Sequence, residues 1–276
     1  MIRSQLSYRR YADGDRSLNR QRVIRALSAG VICAAFIGCN KEDQPNSTQF
    51  HVVGQSYHDP SAYTQGLLWD DSVFYESTGL YGHSEIRKVD PRTGRVLQSA
   101  VLPSDRFGEG LALLDQKLYQ LTWQSGIAYV YDKARLAVID SIRYPGEGWG
   151  LATDGISLIM SDGSDSLRIM TPDFRVVRTV HVRYQGAPLS NLNELEYISG
   201  DIFANVYQSD WVIRIDSRTG IAKELIDFAD LYPKRLPSAE VMNGIAASST
   251  RGELFVTGKK WPTMFRVALT PARVSK

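Results

Sequence analysis

Beyond residue 50, apolar and polar positions alternate in short runs separated by turns of Asp, Gly, Ser and Lys, the period-two pattern of half-buried β-strands. A longer period lies over it. Gln65-Gly66-Leu67, Glu109-Gly110-Leu111, Trp149-Gly150-Leu151, Glu194-Leu195-Glu196 and Asn243-Gly244-Ile245 recur at spacings of 44, 40, 45 and 49 residues. Each is followed by an apolar strand: Val73-Phe74-Tyr75, Leu118-Tyr119-Gln120, Leu158-Ile159-Met160, Ile202-Phe203-Ala204 and Leu254-Phe255-Val256. Third strands such as Ala128-Tyr129-Val130-Tyr131-Asp132 come next, and Pro91-Arg92-Thr93-Gly94 and Ser217-Arg218-Thr219-Gly220 form hairpin turns into a fourth. Each unit therefore reads as a four-stranded meander, which cannot cover both its faces alone and does so when stacked radially on its neighbours. The expected fold is all-β, a five-bladed β-propeller of four-stranded antiparallel blades. A two-sheet sandwich also uses short strands, but it would not repeat one tripeptide at blade spacing.

The innermost strand of a blade lines the central channel, and its start faces one mouth. The residues heading the repeats, Gln65, Glu109, Trp149, Glu194 and Asn243, differ almost from blade to blade, whereas a purely structural repeat would favour one residue type. Polar and aromatic groups converging on one axis make a site. The glycines behind them read as backbone room for crowded strands.

Upstream of the repeats the pattern changes. Arg16, Arg20, Arg22 and Arg25 precede the apolar run Ala26 to Ile37, the length of a signal-peptide core rather than a membrane span. The run ends in Phe36-Ile37-Gly38-Cys39, similar to a lipobox except that Leu is usual where Phe36 stands. Residues 1–39 are expected to be a signal and lipobox region with Cys39 as the lipidation site, 40–50 a tether, and 51–276 the propeller. The protein is then exported and periplasmic, either lipid-anchored at Cys39 or cleaved at an ordinary site. Lys and Arg number 32 against 30 Asp and Glu, so no global field draws nucleic acid to the surface. Both cysteines, Cys33 and Cys39, precede the repeats, and the four histidines form no ligand pair, so a Cys- or His-based metal centre has no support.

The repeats carry words that resemble the plant and bacterial glutaminyl cyclase (glutaminyl-peptide cyclotransferase) family: Tyr63-Thr64-Gln65-Gly66-Leu67, Tyr75-Glu76-Ser77-Thr78-Gly79, Phe107-Gly108-Glu109-Gly110-Leu111, Leu121-Thr122-Trp123, Glu147-Gly148-Trp149-Gly150-Leu151, Leu192-Asn193-Glu194-Leu195-Glu196, Asn243-Gly244-Ile245-Ala246 and Thr257-Gly258-Lys259-Lys260-Trp261-Pro262. They follow the family's order from residue 63 to 262. Tyr207 departs from it, since the family more commonly carries Trp there. The resemblance implies an acyltransferase that converts amino-terminal glutamine of peptides or proteins to pyroglutamate and releases ammonia, with no cofactor and no obligatory metal. A monomer is expected, touching membrane only through a lipid anchor.

That chemistry tethers amine and γ-carboxamide in one residue, so the enzyme must fold the side chain back and handle protons. The resemblance places the catalytic glutamate at Glu109, with Glu194 and Glu76 as rivals; a carboxylate that only binds the substrate ammonium is the blander role. Lys259 and Asn193 are candidates to bond the γ-carbonyl oxygen, although a lysine near a strand end is usually just solvated. Gln65, Glu194 and Asn243 are expected to contact the substrate, and Trp123, Trp149 and Tyr207 to wall it in, unless they are ordinary core. Two other classes stay open: a non-catalytic envelope propeller that binds a protein partner, and a metal-dependent propeller hydrolase or lactonase. A mixed mouth holding Glu109 and Lys259 argues against the first, and activity that survives a chelator separates the second.

Overall fold

The computed structural model describes residues 48–270; the leader, Cys39 and most of the expected tether lie outside the described residues. Every regular element among them is a strand. Blade one holds β2 (Thr64–Asp70), β3 (Val73–Thr78), β4 (Glu85–Val89) and β5 (Val96–Val101), and blade two β6 (Gly108–Leu114), β7 (Lys117–Thr122), β8 (Ile127–Asp132) and β9 (Ala137–Arg143). Blade three holds β10 (Leu151–Thr153), β11 (Leu158–Met160), β12 (Ser166–Met170) and β13 (Val176–His181). A small hairpin of β14 (Arg183–Tyr184) and β15 (Ala187–Pro188) leads to blade four, with β16 (Leu192–Ile198), β17 (Asp201–Val206), β18 (Trp211–Asp216) and β19 (Ala222–Asp227). In blade five, β20 (Met242–Ala247), β21 (Glu253–Gly258) and β22 (Thr263–Thr270) are completed by β1 (Gln49–Tyr57), which pairs antiparallel with β22. The amino-terminal strand thus closes the ring. Gln49 and Phe50, assigned to the tether from sequence, belong to this strand, and Phe50 packs on Phe228 with ring centroids 4.8 Å apart.

Inner strands lie side by side in the cyclic order β2, β6, β10, β16, β20 and back to β2. Hydrophobic burial falls between blades rather than within them. Tyr75, Ile86, Leu111 and Leu118 fill the layer between blades one and two, and Leu121, Val130, Leu151 and Leu158 the next. Ile159, Leu167, Leu195 and Ile202 follow, then Ile226, Phe228, Ile245 and Leu254, and Leu67, Phe74, Ala246 and Met264 close the circle. The inner strand β6 is accordingly buried on both faces, whereas the outer strand β9 is exposed over nearly all its length. Crowding at the axis explains the repeated glycines: a Cβ on Gly150 would meet the Asn193 carbonyl oxygen at 1.9 Å, and one on Gly110 the Leu151 nitrogen at 2.4 Å.

Candidate active site at the head of the inner strands

Four inner strands begin with a β-bulge, between Thr64 and Gly66, Gly108 and Leu111, Leu192 and Leu195, and Met242 and Ile245. A bulge frees residues from the ladder and re-aims their side chains, and here the freed residues include Gln65, Glu109, Asn193 and Asn243. This register corrects the fourth repeat. Leu195 pairs with Ala204 as Leu111 pairs with Gln120, so the head of blade four is Asn193, and Glu194 stands where the four other blades carry glycine. Its carboxylate is spent on the scaffold, Oε1 accepting from the Leu67 amide at 3.2 Å and Oε2 from the Ile245 amide at 2.9 Å. Burial, reinforced by Glu196, pushes its proton affinity well above the usual carboxylate range. Glu194 therefore joins inner strands and is not one of the side chains gathered at the mouth.

Those gathered there are Gln65, Glu109, Asn193, Asn243 and Lys259, all buried. The Asn243 side-chain amide donates to Gln65 Oε1 at 3.2 Å, and the Gln65 amide donates to Glu109 Oε1 at 2.9 Å, a relay from blade five to blade two. Burial raises the proton affinity of Glu109 strongly; the Lys259 charge opposes the shift and that of Glu147 adds to it. Burial brings the Lys259 ammonium down to about 8 against the opposing pull of Glu109 and Glu240. Lys259 is thus not the solvated lysine its place near a strand end would suggest. Its Nζ lies 4.7 Å from the Tyr63 ring centroid and 5.3 Å from that of Tyr207. Asn193 Oδ1, Asn205 Nδ2 and Asn243 Oδ1 are buried with no partner within the protein, whereas nearly all such atoms in folded proteins are bonded.

Aromatic rings surround this polar floor. Tyr63 stands edge-on to Phe107 at 6.0 Å, Phe107 packs on Trp123 at 5.8 Å, and Trp149 stands edge-on to Tyr207 at 5.6 Å. Lys259 bridges Tyr207 back to Tyr63, and Glu147 bridges the remaining gap by accepting from both indoles, Trp123 Nε1 at 2.8 Å and Trp149 Nε1 at 3.1 Å. The result is a closed collar with contributions from every blade.

Glu76 is elsewhere. Its Oε1 accepts from His58 Nε2 at 2.9 Å and Thr64 Oγ1 at 2.7 Å, and its Oε2 from Arg87 Nη2 at 2.7 Å, so it holds a buried ion cluster together and has no oxygen for a substrate. Tyr63, Phe107 and Glu147 have no role in the sequence reading. They share a signal in the sequence, because each stands two residues before a repeat head. Among the described residues no group of three or more His, Cys, Asp or Glu converges as metal ligands do.

Residues 25–269 match the family model described as Glutamine cyclotransferase. A glutaminyl-peptide cyclotransferase of Arabidopsis thaliana is 39% identical over 263 residues, which cover 90% of this chain and 82% of the plant protein. The crystal structure of Myxococcus xanthus glutaminyl cyclase matches with a TM-score of 0.76 and 34% identity, over 83% of this chain and 100% of that one.

Proposed function

The chain belongs to the glutamine cyclotransferase family and closes amino-terminal glutamine of peptides into pyroglutamate, and on that premise we propose that Glu109 carries the protons of the reaction. The observation that carries this reading is a buried carboxylate of raised proton affinity beside a buried ammonium, inside an aromatic collar. The substrate's neutral α-amine attacks its own γ-carboxamide carbon, and a C–N bond forms while the carbonyl π electrons move onto oxygen. Glu109 takes the proton that the amine loses and returns it to the amide nitrogen, which departs as ammonia as the carbonyl re-forms. No covalent enzyme intermediate is needed.

Lys259 is the donor that stabilises the tetrahedral oxygen. Asn193, expected from sequence to share that task through its side-chain N–H, also carries an unpartnered acceptor that suits a substrate N–H. Gln65 holds Glu109, and the rings of Trp123, Trp149 and Tyr207 keep the bent side chain from water. Because the Lys259 cation is present below about 8 and lost above it, kcat/KM is expected to fall on the alkaline side as that ammonium deprotonates. Arginine stays charged throughout this range, so Lys259→Arg should move the decline to higher pH. Wild type and variant declining at the same pH in a pH series of kcat/KM would remove Lys259 from this role.

Export and anchoring at Cys39 complete the proposal. They are supported by the arginines before Ala26 to Ile37 and by Gly38-Cys39. Acyl chains on Cys39 hold a protein to a bilayer at roughly 0.8 kcal/mol per buried methylene. Cys39→Ser should therefore move the protein from the membrane fraction to the soluble one with activity unchanged. Absence of fatty-acid label on the wild type in metabolic labelling would discard the anchor.

A further inference from the structure

We infer that Glu147 is a positioning residue that locks Trp123 and Trp149 into a preformed wall for the substrate's glutamine side chain. The inference rests on the reading of these two indoles as pocket walls. An indole N–H donates and cannot accept, so a half-buried tryptophan needs an acceptor within reach. Here two of them use the same one: Glu147 Oε2 accepts from Trp123 in the turn after β7 of blade two and from Trp149 at the entry to blade three. The other oxygen, Oε1, accepts from Gln124 Nε2 at 2.9 Å. Partial burial works against the charge, but these three neutral donors together hold Glu147 below the usual carboxylate range, so it is ionised.

The backbone adds a second tie at the same place. Gly148 N donates to the Trp123 carbonyl at 3.1 Å, and a Cβ on Gly148 would meet the Tyr144 hydroxyl at 2.5 Å, so the connector bearing Glu147 is seated against blade two. In the repeat, Glu147 takes the place where blades one and two put the rings of Tyr63 and Phe107. A ring there would contact its neighbours only through its faces and edges. A carboxylate instead fixes the rotation of both indoles, because each swings about two side-chain torsions and is now held at its far end. Such a wall meets the substrate before and during reaction alike, so losing it weakens binding more than it slows chemistry.

The test uses the full chain carrying Glu147→Gln, with a Gln-initiated dipeptide as substrate. KM should rise roughly tenfold, equivalent to about 1.4 kcal/mol, with kcat changed far less. In a nitrogen–proton correlation spectrum, two of the five tryptophan indole resonances should move, those of Trp123 and Trp149. Trp123→Phe keeps a ring but removes one donor, and combined with Glu147→Gln it should cost less than the two single changes added together. Unmoved indole resonances, an unchanged KM, or strictly additive costs would each overturn the inference. If Glu147→Gln does not fold, Trp123→Phe carries the test alone, and an unchanged KM there overturns it. The wall reading has its own check: Trp123→Ala and Trp149→Ala both leaving KM unchanged would sink that reading. A raised KM in Trp149→Ala beside a silent Glu147→Gln removes only the positioning role.

Discussion

Glu109→Gln is expected to lower turnover by about two to four orders of magnitude while the protein stays folded, the range typical for loss of general acid–base catalysis. The substitution is nearly isosteric. The new amide oxygen still accepts from Gln65, so the relay from Asn243 through Gln65 keeps its geometry. What disappears is a group able to take and return a proton. Burial holds the Glu109 proton more firmly than an ordinary carboxylate would, which makes it a poor resident charge but a competent acid once loaded, and the nearby Lys259 keeps the ionised form accessible. Ammonia release from a Gln-initiated dipeptide, read beside the melting temperature, decides the matter. Wild-type turnover in a folded variant would assign the proton transfers to another group. A tenfold loss confined to KM would leave Glu109 as an ammonium-binding carboxylate only.

Much of the fold was legible because propeller blades repeat a local device. The strand runs, their turns and the glycines at the crowded axis are each set by residues close in sequence, and the tripeptide spacing counts the blades. Two features were not legible, for different physical reasons. Pairing of β1 with β22 joins the two ends of the described chain, from Gln49 with Thr270 to Tyr57 with Thr263, and nothing local to either strand specifies the other. The head of blade four was misregistered by one residue because Glu194 occupies a position that is glycine in blades one, two, three and five. Aligning on the acidic residue put Glu194 at the mouth; aligning on Leu195, the buried residue after the bulge, puts Asn193 there.

At the site, strand position brings Gln65, Glu109, Trp149 and Asn243 to the mouth, since inner strands start there, whereas Trp123 follows the second strand of blade two and is marked only by the family word Leu121-Thr122-Trp123. Burial was not readable. Lys259 looks like a solvated strand-end lysine until the Tyr63 and Tyr207 rings close over it, and Glu76 looks like a candidate acid until its three charged and polar partners arrive from other parts of blade one and its approach. Glu147 differs again. Its role depends on two indole nitrogens converging from neighbouring blades, which a sequence period places near one another without stating how the rings turn.

Arg87→Met is expected to cost roughly 3–5 kcal/mol of stability, the magnitude for removing one partner from a buried ion pair, because Glu76 is then left with His58 as its remaining cation. Arg87 and Glu76 side chains are 4% and 2% exposed, so water cannot compensate the loss. Arg87 also reaches Asp59 at 2.8 Å, and His58 Nδ1 donates to the Trp261 carbonyl at 2.6 Å, so the cluster fastens the segment after β1 to blades one and five where the ring closes. The pH dependence follows from two opposite shifts. Glu76 is held far below 4.5: burial works against its charge, but Arg87 and His58 outweigh it, so its contribution is present above 4.5 and lost as pH falls. His58 is raised above 6.5 because the Glu76 charge outweighs burial, so its contribution is complete below 6.5 and lost as pH climbs through the folded value. Wild type should therefore weaken at both extremes, and the deficit of Arg87→Met should narrow as pH drops below 4.5, where the unfolded chain takes up a proton at Glu76 that the paired native carboxylate does not. Glu76→Leu added to Arg87→Met should restore part of the stability, because neither charge is then left unpaired. The same cluster reaches the site: Glu76 holds the Thr64 hydroxyl, and the Thr64 carbonyl takes the Asn243 amide at 3.0 Å beside Gln65. Arg87→Met should thus also slow turnover at temperatures where it is still folded, by loosening the relay that aims Glu109. Urea titrations across pH with parallel rate measurements check both halves, and an unfolding midpoint that matches wild type at neutral pH would show that the cluster contributes nothing to closing the ring.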